Sequence, residues 1–179
     1  MLQSGMDTIQ AIMTRRSIRR FENREIEEQT IETLLRAAMQ APSGHNLQPW
    51  QFIVITQRST LSAIPEFHLY AKMLHEAPAA ILVCGDTRIE ESIEYINTGC
   101  SAAAENLLLA AHELGLGAVW LGIYPKEHRV EGICRLLELP PYIIPIALVA
   151  LGYAAEKKQP EDRFRPERVH RNSWTEEGS

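Results

Sequence analysis

Residues 91 to 115 read as one long helix whose middle, NTGCSAAAENLLLAA, holds a single charge and a run of small side chains. A helix without a polar face is expected to be buried all round, and its small residues allow a second helix to approach closely. Burying it needs a sheet or other helices against most of its circumference. The chain has 179 residues, 45% of them hydrophobic and 23% charged, which is enough to do this within one compact domain.

The rest of the pattern supplies those layers. Asp7 caps a first helix running to about Arg15, with Ile9, Ile12 and Met13 at helical spacing, and a second runs from Glu27 to Ala41, stopped by Pro42. WQFIVIT (50–56) reads as a strand, and AAILVCGD (79–86), apolar on both faces, as a central one. Between them lie a short helix near 59–65 and an amphipathic turn, YAKMLHEAP. After the long helix come GAVWLGIYP (117–125) as strand or extended loop, a helix from about Lys126 to Leu137, and a strand at IPIALVALG (144–152). Strands separated by helices indicate a sheet covered on both faces, with strand order and direction left open. There is no repeat, low-complexity block or linker. From Ala154 onward the tail is polar, with Phe164, Val169 and Trp174 spaced along it, and is expected to lie across another surface.

Charge and composition exclude several classes. A formal net charge of −5 argues against a general nucleic-acid binder, which needs a basic face. Cys84, Cys100 and Cys134 form no CxxC pair, so neither a zinc site nor a disulfide framework is expected. No apolar run reaches the ~18 residues of a membrane span, and the start lacks the apolar stretch of a signal peptide. A reducing cytoplasm is the expected location.

Two stretches carry candidate chemistry. TRRSIRRF (14–21) gathers four arginines around Ser17. Guanidinium forks, a hydroxyl and exposed backbone N–H groups suit a phosphate or carboxylate, although cations at a helix C-terminus are also favoured by the macrodipole without any ligand. APSGHNLQPW (41–50) is a rigid loop between helix and strand that presents Ser43, His45, Asn46 and Gln48; binding accounts for so many polar side chains better than a capped turn does. HELGL (112–116) lacks the second histidine of a metalloprotease helix, the other histidines make no ligand pattern, and neither GxGxxG nor a P-loop is present.

Taken together, TRRSIRRF, APSGHNLQPWQFIV, KMLHEAPAAILVC, NTGCSAAAENLLLAAHELGLGAVWLG and the closing DRF…P…VH…W resemble the FMN-dependent nitroreductase family, over roughly residues 8 to 174 and in the family's order. The resemblance implies an α+β fold: a three-layer α/β/α sandwich around a largely antiparallel sheet. It implies a single domain over 1–179, built as an intertwined homodimer with FMN in two interface clefts, and a C-terminal arm from about residue 154 crossing to the partner. By the same resemblance, Arg15, Arg16 and Ser17 bind the FMN phosphate and ribityl chain, and Arg19 lies closer to the isoalloxazine. Arg163 and Arg165 complete the phosphate site. Pro42, Ser43, Gly44, Asn46 and Gln48 belong to the loop the partner contributes, Lys72 lies near the flavin N1 and O2 edge, and Leu121 and Gly122 give a backbone contact near N5. Two positions depart from family patterns: Leu69 stands where some members carry an amide, and Leu121 where others carry a carboxylate.

The implied activity is hydride transfer from NAD(P)H through flavin N5 to a small acceptor such as a nitroaromatic or quinone, in a ping-pong cycle. No side chain is assigned as catalytic and no metal is expected. The alternatives are a flavin-dependent dehalogenase, a flavin-fragmenting relative, or a non-catalytic flavin- or nucleotide-binding dimer.

Overall fold

The computed structural model describes residues 7–174. The opening MLQSG and the last residues of the expected 1–179 domain lie outside that range.

Four strands, β1 (Trp50–Ile55), β2 (Ala79–Asp86), β3 (Leu116–Gly122) and β4 (Ile143–Tyr153), form one sheet in the order β1-β2-β4-β3, every neighbouring pair antiparallel. Alternation along β2 explains the layers. Ile81 and Val83 point to one face, where they meet Leu34, Ala38, Ile96 and Leu107 from α2 (Glu28–Ala38) and α4 (Ile93–Glu113). Leu82 and Cys84 point to the other, where Leu61, Ile64, Leu74 and Ile133 come from α3 (Arg58–Ala63), the turns after it and α5 (Glu127–Leu136). With both faces covered, every residue of β2 is buried, as its unbroken apolar run implied. The α/β/α sandwich expected from the resemblance is the observed fold.

Two expectations need correction, and a third element shows an unexpected face. α2 stops at Ala38 rather than Ala41, because the N–H groups of Gln40 and Ala41 bond to the carbonyls of Ala37 and Ala38, a tightened turn that leads into Pro42. α4 is buried on one side only within the chain. Gly99, Cys100, Ala103 and Leu107 are covered, whereas Thr98, Glu105 and Glu113 are exposed and Ala102 and Leu109 are half-buried. α1 (Thr8–Thr14), capped by the Asp7 carboxylate accepting from the Ile9 N–H at 2.7 Å, buries only Ala11; Ile9, Ile12 and Met13 are 66, 50 and 58% exposed. Its apolar row faces away from the core of its own chain.

Paired glycines position the arginine segment. Gly117 and Gly152 sit opposite each other in the β3–β4 ladder, and over them pass Ile18 and Phe21. A Cβ on Gly117 would lie 2.6 Å from the Ile18 side chain, and one on Gly152 would lie 2.7 Å from Phe21. The bridges Ser17 to Ala118 and Phe21 to Ala154 then fix the segment against the sheet, leaving the arginines between these anchors to face outward. Gly152→Val is expected to lower stability by about 1–3 kcal/mol through overpacking. An unchanged urea midpoint would show that Phe21 does not need that floor.

Candidate functional site

Arg15, Arg16, Ser17 and Arg19 follow the end of α1. Arg15 reaches Glu105 on α4 at 3.4 Å. Among the described residues the Arg16 fork donates only to carbonyls: its own neighbour Arg15 at 2.6 Å, and Gln159 and Glu161 of the tail at 3.1 Å each. Lys158 Nζ donates to the Ser17 carbonyl at 2.7 Å, and the Glu156 carboxylate accepts the backbone N–H groups of Arg19 and Arg20. Residues 156–161 are therefore held on the arginine segment of their own chain. From Lys157 to Val169 every residue is exposed, and the bonds from the Arg16 fork hold the backbone as far as Glu161. Arg163 pairs with the Glu161 carboxylate at 3.3 Å, so Arg16 and Arg163 flank one residue, while Arg165 donates to the Phe164 carbonyl at 2.9 Å.

Charge is unevenly spent across this group. Arg15 and Arg163 have carboxylate partners; among the described residues Arg16, Arg19 and Arg165 have none. Beside the segment lies a depression of about 410 Å³ lined by Thr14, Arg16, Ile18, His112, Glu156 and Lys158 among others. A larger one, about 500 Å³, lies between the Ala63–Phe67 turn and α5, away from every candidate residue.

The loop at 42–48 is braced by its own side chains and holds an uncommon backbone conformation. His45, Asn46 and Gln48 all have positive φ (51°, 57° and 54°), a conformation that is disfavoured for residues with a Cβ and that tends to mark functional loops. The Ser43 hydroxyl accepts the Gln48 N–H at 2.9 Å, and the Asn46 side-chain oxygen accepts from the Gln48 amide at 3.0 Å. This loop packs on the N-terminal half of α4, with Gly44 against Tyr95 and Ser43 against Gly99. Arg15 contacts the same helix at Glu105 and Thr14 contacts it at His112, about 9 and 20 Å farther along the axis. Within one chain, the loop and the arginines sit at different levels of α4.

Lys72 begins a short 3₁₀ turn, Lys72–His75, and is exposed, without a carboxylate partner among the described residues. Leu121 is buried in the α3/α5 layer, so it offers backbone rather than side chain, and no atom lies within 4 Å of where a Gly122 Cβ would sit. Sequence reading missed three residues around these. Arg58 donates to the carbonyls of Leu74, His75 and Ala77 at 2.7, 3.1 and 2.6 Å. His68 and Arg129 both donate to the Gly122 carbonyl, at 3.1 and 2.8 Å. A lone histidine or arginine has no spacing signature; only the folded chain shows what it reaches.

Burial pushes the Cys84 and Cys100 thiols up, making them poor nucleophiles. No cluster of metal-ligating side chains occurs among the described residues, and no helix there is long and apolar enough to cross a membrane. The ionisable groups do set a pH profile. Burial holds His68 and His112 below the ordinary imidazole value of 6.5, so the unfolded chain binds more protons as pH falls through that value. The Arg88 side chain holds Asp86 below its ordinary 3.8, and the Arg19 N–H holds Glu156 below 4.5, so their stabilisation is present above those values and lost below them. The urea midpoint is expected to be flat between about pH 7 and 8, and to fall in two stages on the acid side, below about 6.5 and below about 4. It is expected to fall again above about pH 9, where the unfolded chain's thiols ionise and the buried ones do not. A midpoint independent of pH between 7 and 5 would contradict the histidine stage.

Comparison with known proteins identifies the family. The family model described as "Nitroreductase family" matches residues 12–68 and 65–153. A protein of Methanothermobacter thermautotrophicus with the provisional name NADH dehydrogenase/NAD(P)H nitroreductase is 48% identical over 171 residues, covering 96% of this chain and 90% of the relative. A solved structure from Parabacteroides distasonis with the same provisional name superposes with a TM-score of 0.90 at 40% identity, covering 93% of this chain and 98% of that one. A Desulfovibrio desulfuricans protein solved in complex with FMN superposes at 0.81 with 30% identity, covering 94% and 98%. With its antiparallel sheet, arginine segment and strained loop in the arrangement described, the chain belongs to the nitroreductase family of oxidoreductases.

Proposed function

We propose that the protein is a homodimeric FMN-dependent oxidoreductase that uses NAD(P)H to reduce a small acceptor. The observation that carries this reading is the order of groups along β3. Ser17 bridges Ala118 near one end, bringing the arginine segment there, and Gly122, with Leu121 beside it, closes the other end about 13 Å away. A ligand with an anionic tail and a planar head needs that order. The donor set fits such a tail: the carboxylate-free guanidinium of Arg16, backed by Arg19 and Arg165, retains its charge for a phosphate, and Arg15 and Ser17 adjoin it. The Desulfovibrio desulfuricans relative, solved with FMN, supports the same ligand.

The chemistry supplied by bound FMN is hydride transfer through N5, from NAD(P)H to an acceptor such as a nitroaromatic or quinone, in ping-pong order. The chain's own residues position and charge the site. The unpaired ammonium of Lys72 favours accumulation of negative charge near the end of β3, and the Leu121–Gly122 backbone offers a polar contact without a competing side chain. No acid or base is required if donor and acceptor are stacked within reach.

Each cleft is assigned to two chains. The loop residues Pro42, Ser43, Gly44, Asn46 and Gln48 lie at a different level of α4 from the arginines, so a second copy would bring its loop to them. The exposed row Ile9, Ile12 and Met13, the open stripe of α4 and the exposed Phe164, Val169 and Trp174 of the tail are the surfaces such a dimer would cover. In this reading the tail from Asp162 onward is the arm that crosses to the partner. Sedimentation of the FMN-reconstituted protein tests the assembly. Two chains and two FMN per particle are expected, and a monomer carrying stoichiometric FMN would refute the shared cleft.

A further inference from the structure

We infer that His68 is a positioning residue: a buried clasp that ties the Lys72 segment to the end of β3, and so sets the charge and the backbone edge of the site in register. The inference rests on the flavin reading above for its consequence, though not for its geometry.

His68 is 1% exposed, one of few buried polar side chains in the described chain. Its Nε2 lies 3.1 Å from the Gly122 carbonyl, which can only accept; Nε2 therefore carries the proton. Nδ1 is buried without a partner. Burying an imidazole this way is costly and is retained where its one bond is needed. Arg129, from the first turns of α5, donates to the same carbonyl at 2.8 Å, has no ion-pair partner among the described residues, and lies 5.8 Å from the Tyr70 ring. Burial, with the Arg129 charge second, holds the imidazole below its ordinary range, consistent with a neutral donor.

The backbone carries the constraint onward. The His68 carbonyl accepts the Ala71 N–H at 2.8 Å, and the Ala71 carbonyl accepts the Leu74 N–H at 2.9 Å, so two consecutive turns lead from the imidazole through Lys72. Arg58 holds the far end of the same segment through the Leu74, His75 and Ala77 carbonyls. Lys72 itself is exposed, and its side chain makes no bond among the described residues that would fix its place. Its position is set by the segment, and among the described residues only His68 links that segment by a side-chain hydrogen bond to β3.

The test compares His68→Gln, which can keep an N–H donor near the Nε2 position, with His68→Met, which fills similar space without one. Amide hydrogen exchange of the FMN-reconstituted protein and the flavin midpoint potential, set against a reference dye rather than NAD(P)H, are read for each. Expected for His68→Met is exchange at least tenfold faster across residues 69–75 and at Ile123, with α4 unchanged, and a lower potential; His68→Gln is expected to stay within about threefold of the parent in exchange and near its potential. Uniformly faster exchange, or no change at all, would make His68 an ordinary core residue and overturn the inference. Faster local exchange with an unaltered potential would overturn the link to the flavin edge. If the parent binds no FMN, the functional reading fails, while exchange in the unliganded protein still decides whether the clasp exists.

Discussion

Arg16→Ala is expected to weaken FMN binding about 100-fold. A charge-assisted contact to phosphate contributes about 1.5–3 kcal/mol, which is a factor of roughly 10–150 in affinity. The substitution has a second effect, because the same guanidinium holds the Gln159 and Glu161 carbonyls and thereby keeps Arg163 close by. Stability should hardly change, since these bonds lie at the surface and touch no core side chain. Arg16→Lys keeps the charge and loses the fork, and is expected to fall between, about tenfold weaker than the parent. Quenching of flavin fluorescence on titration reads all three. Binding by Arg16→Ala within threefold of the parent would mean that the arginine segment grips something other than the FMN phosphate.

The double substitution Ile12→Asp, Met13→Asp is expected to give a folded monomer that no longer retains FMN, although every arginine of the site is intact. Both side chains are at least half exposed in the single chain, so the change removes little packing from its core. In a dimer the same positions would bury two carboxylates per chain, each at a cost of several kcal/mol unless paired. Dimer dissociation should therefore rise by well over 100-fold. Sedimentation and flavin content together distinguish the outcomes: a variant that stays dimeric places the interface elsewhere, and a monomer that keeps its flavin shows that one chain suffices for the cleft.

Much of the fold was legible because the strands and helices carry strong local patterns. The unbroken apolar run at 79–86 marked the central strand, and Pro42 and the polar loop after it bounded α2 to within a turn. The periodicity of α1 gave the helix and was silent on direction: Ile9, Ile12 and Met13 do lie on one face, but spacing cannot say whether a face turns toward its own core or toward another chain. The small-residue run of α4 had the same ambiguity, and half of the helix is open in the single chain. Strand order was hidden because β4 enters between β2 and β3, a pairing that no local signal encodes.

For the site, the segments were legible and the supports were not. TRRSIRRF and PSGHNLQP stood out as dense clusters of donors and acceptors. The paired glycines that let Ile18 and Phe21 lie on the sheet, the triple carbonyl grip of Arg58, and the meeting of His68 and Arg129 at one carbonyl each join residues far apart in the chain. Such contacts follow from topology alone.

The most direct test of the functional reading is anaerobic spectroscopy of the purified, FMN-reconstituted protein before and after adding NADH or NADPH. Retained flavin bands near ~450 nm that bleach with one or both donors, and return when a nitroaromatic or quinone is added, are the expected result. Flavin that is not retained, or that stays oxidised with both donors, would contradict it.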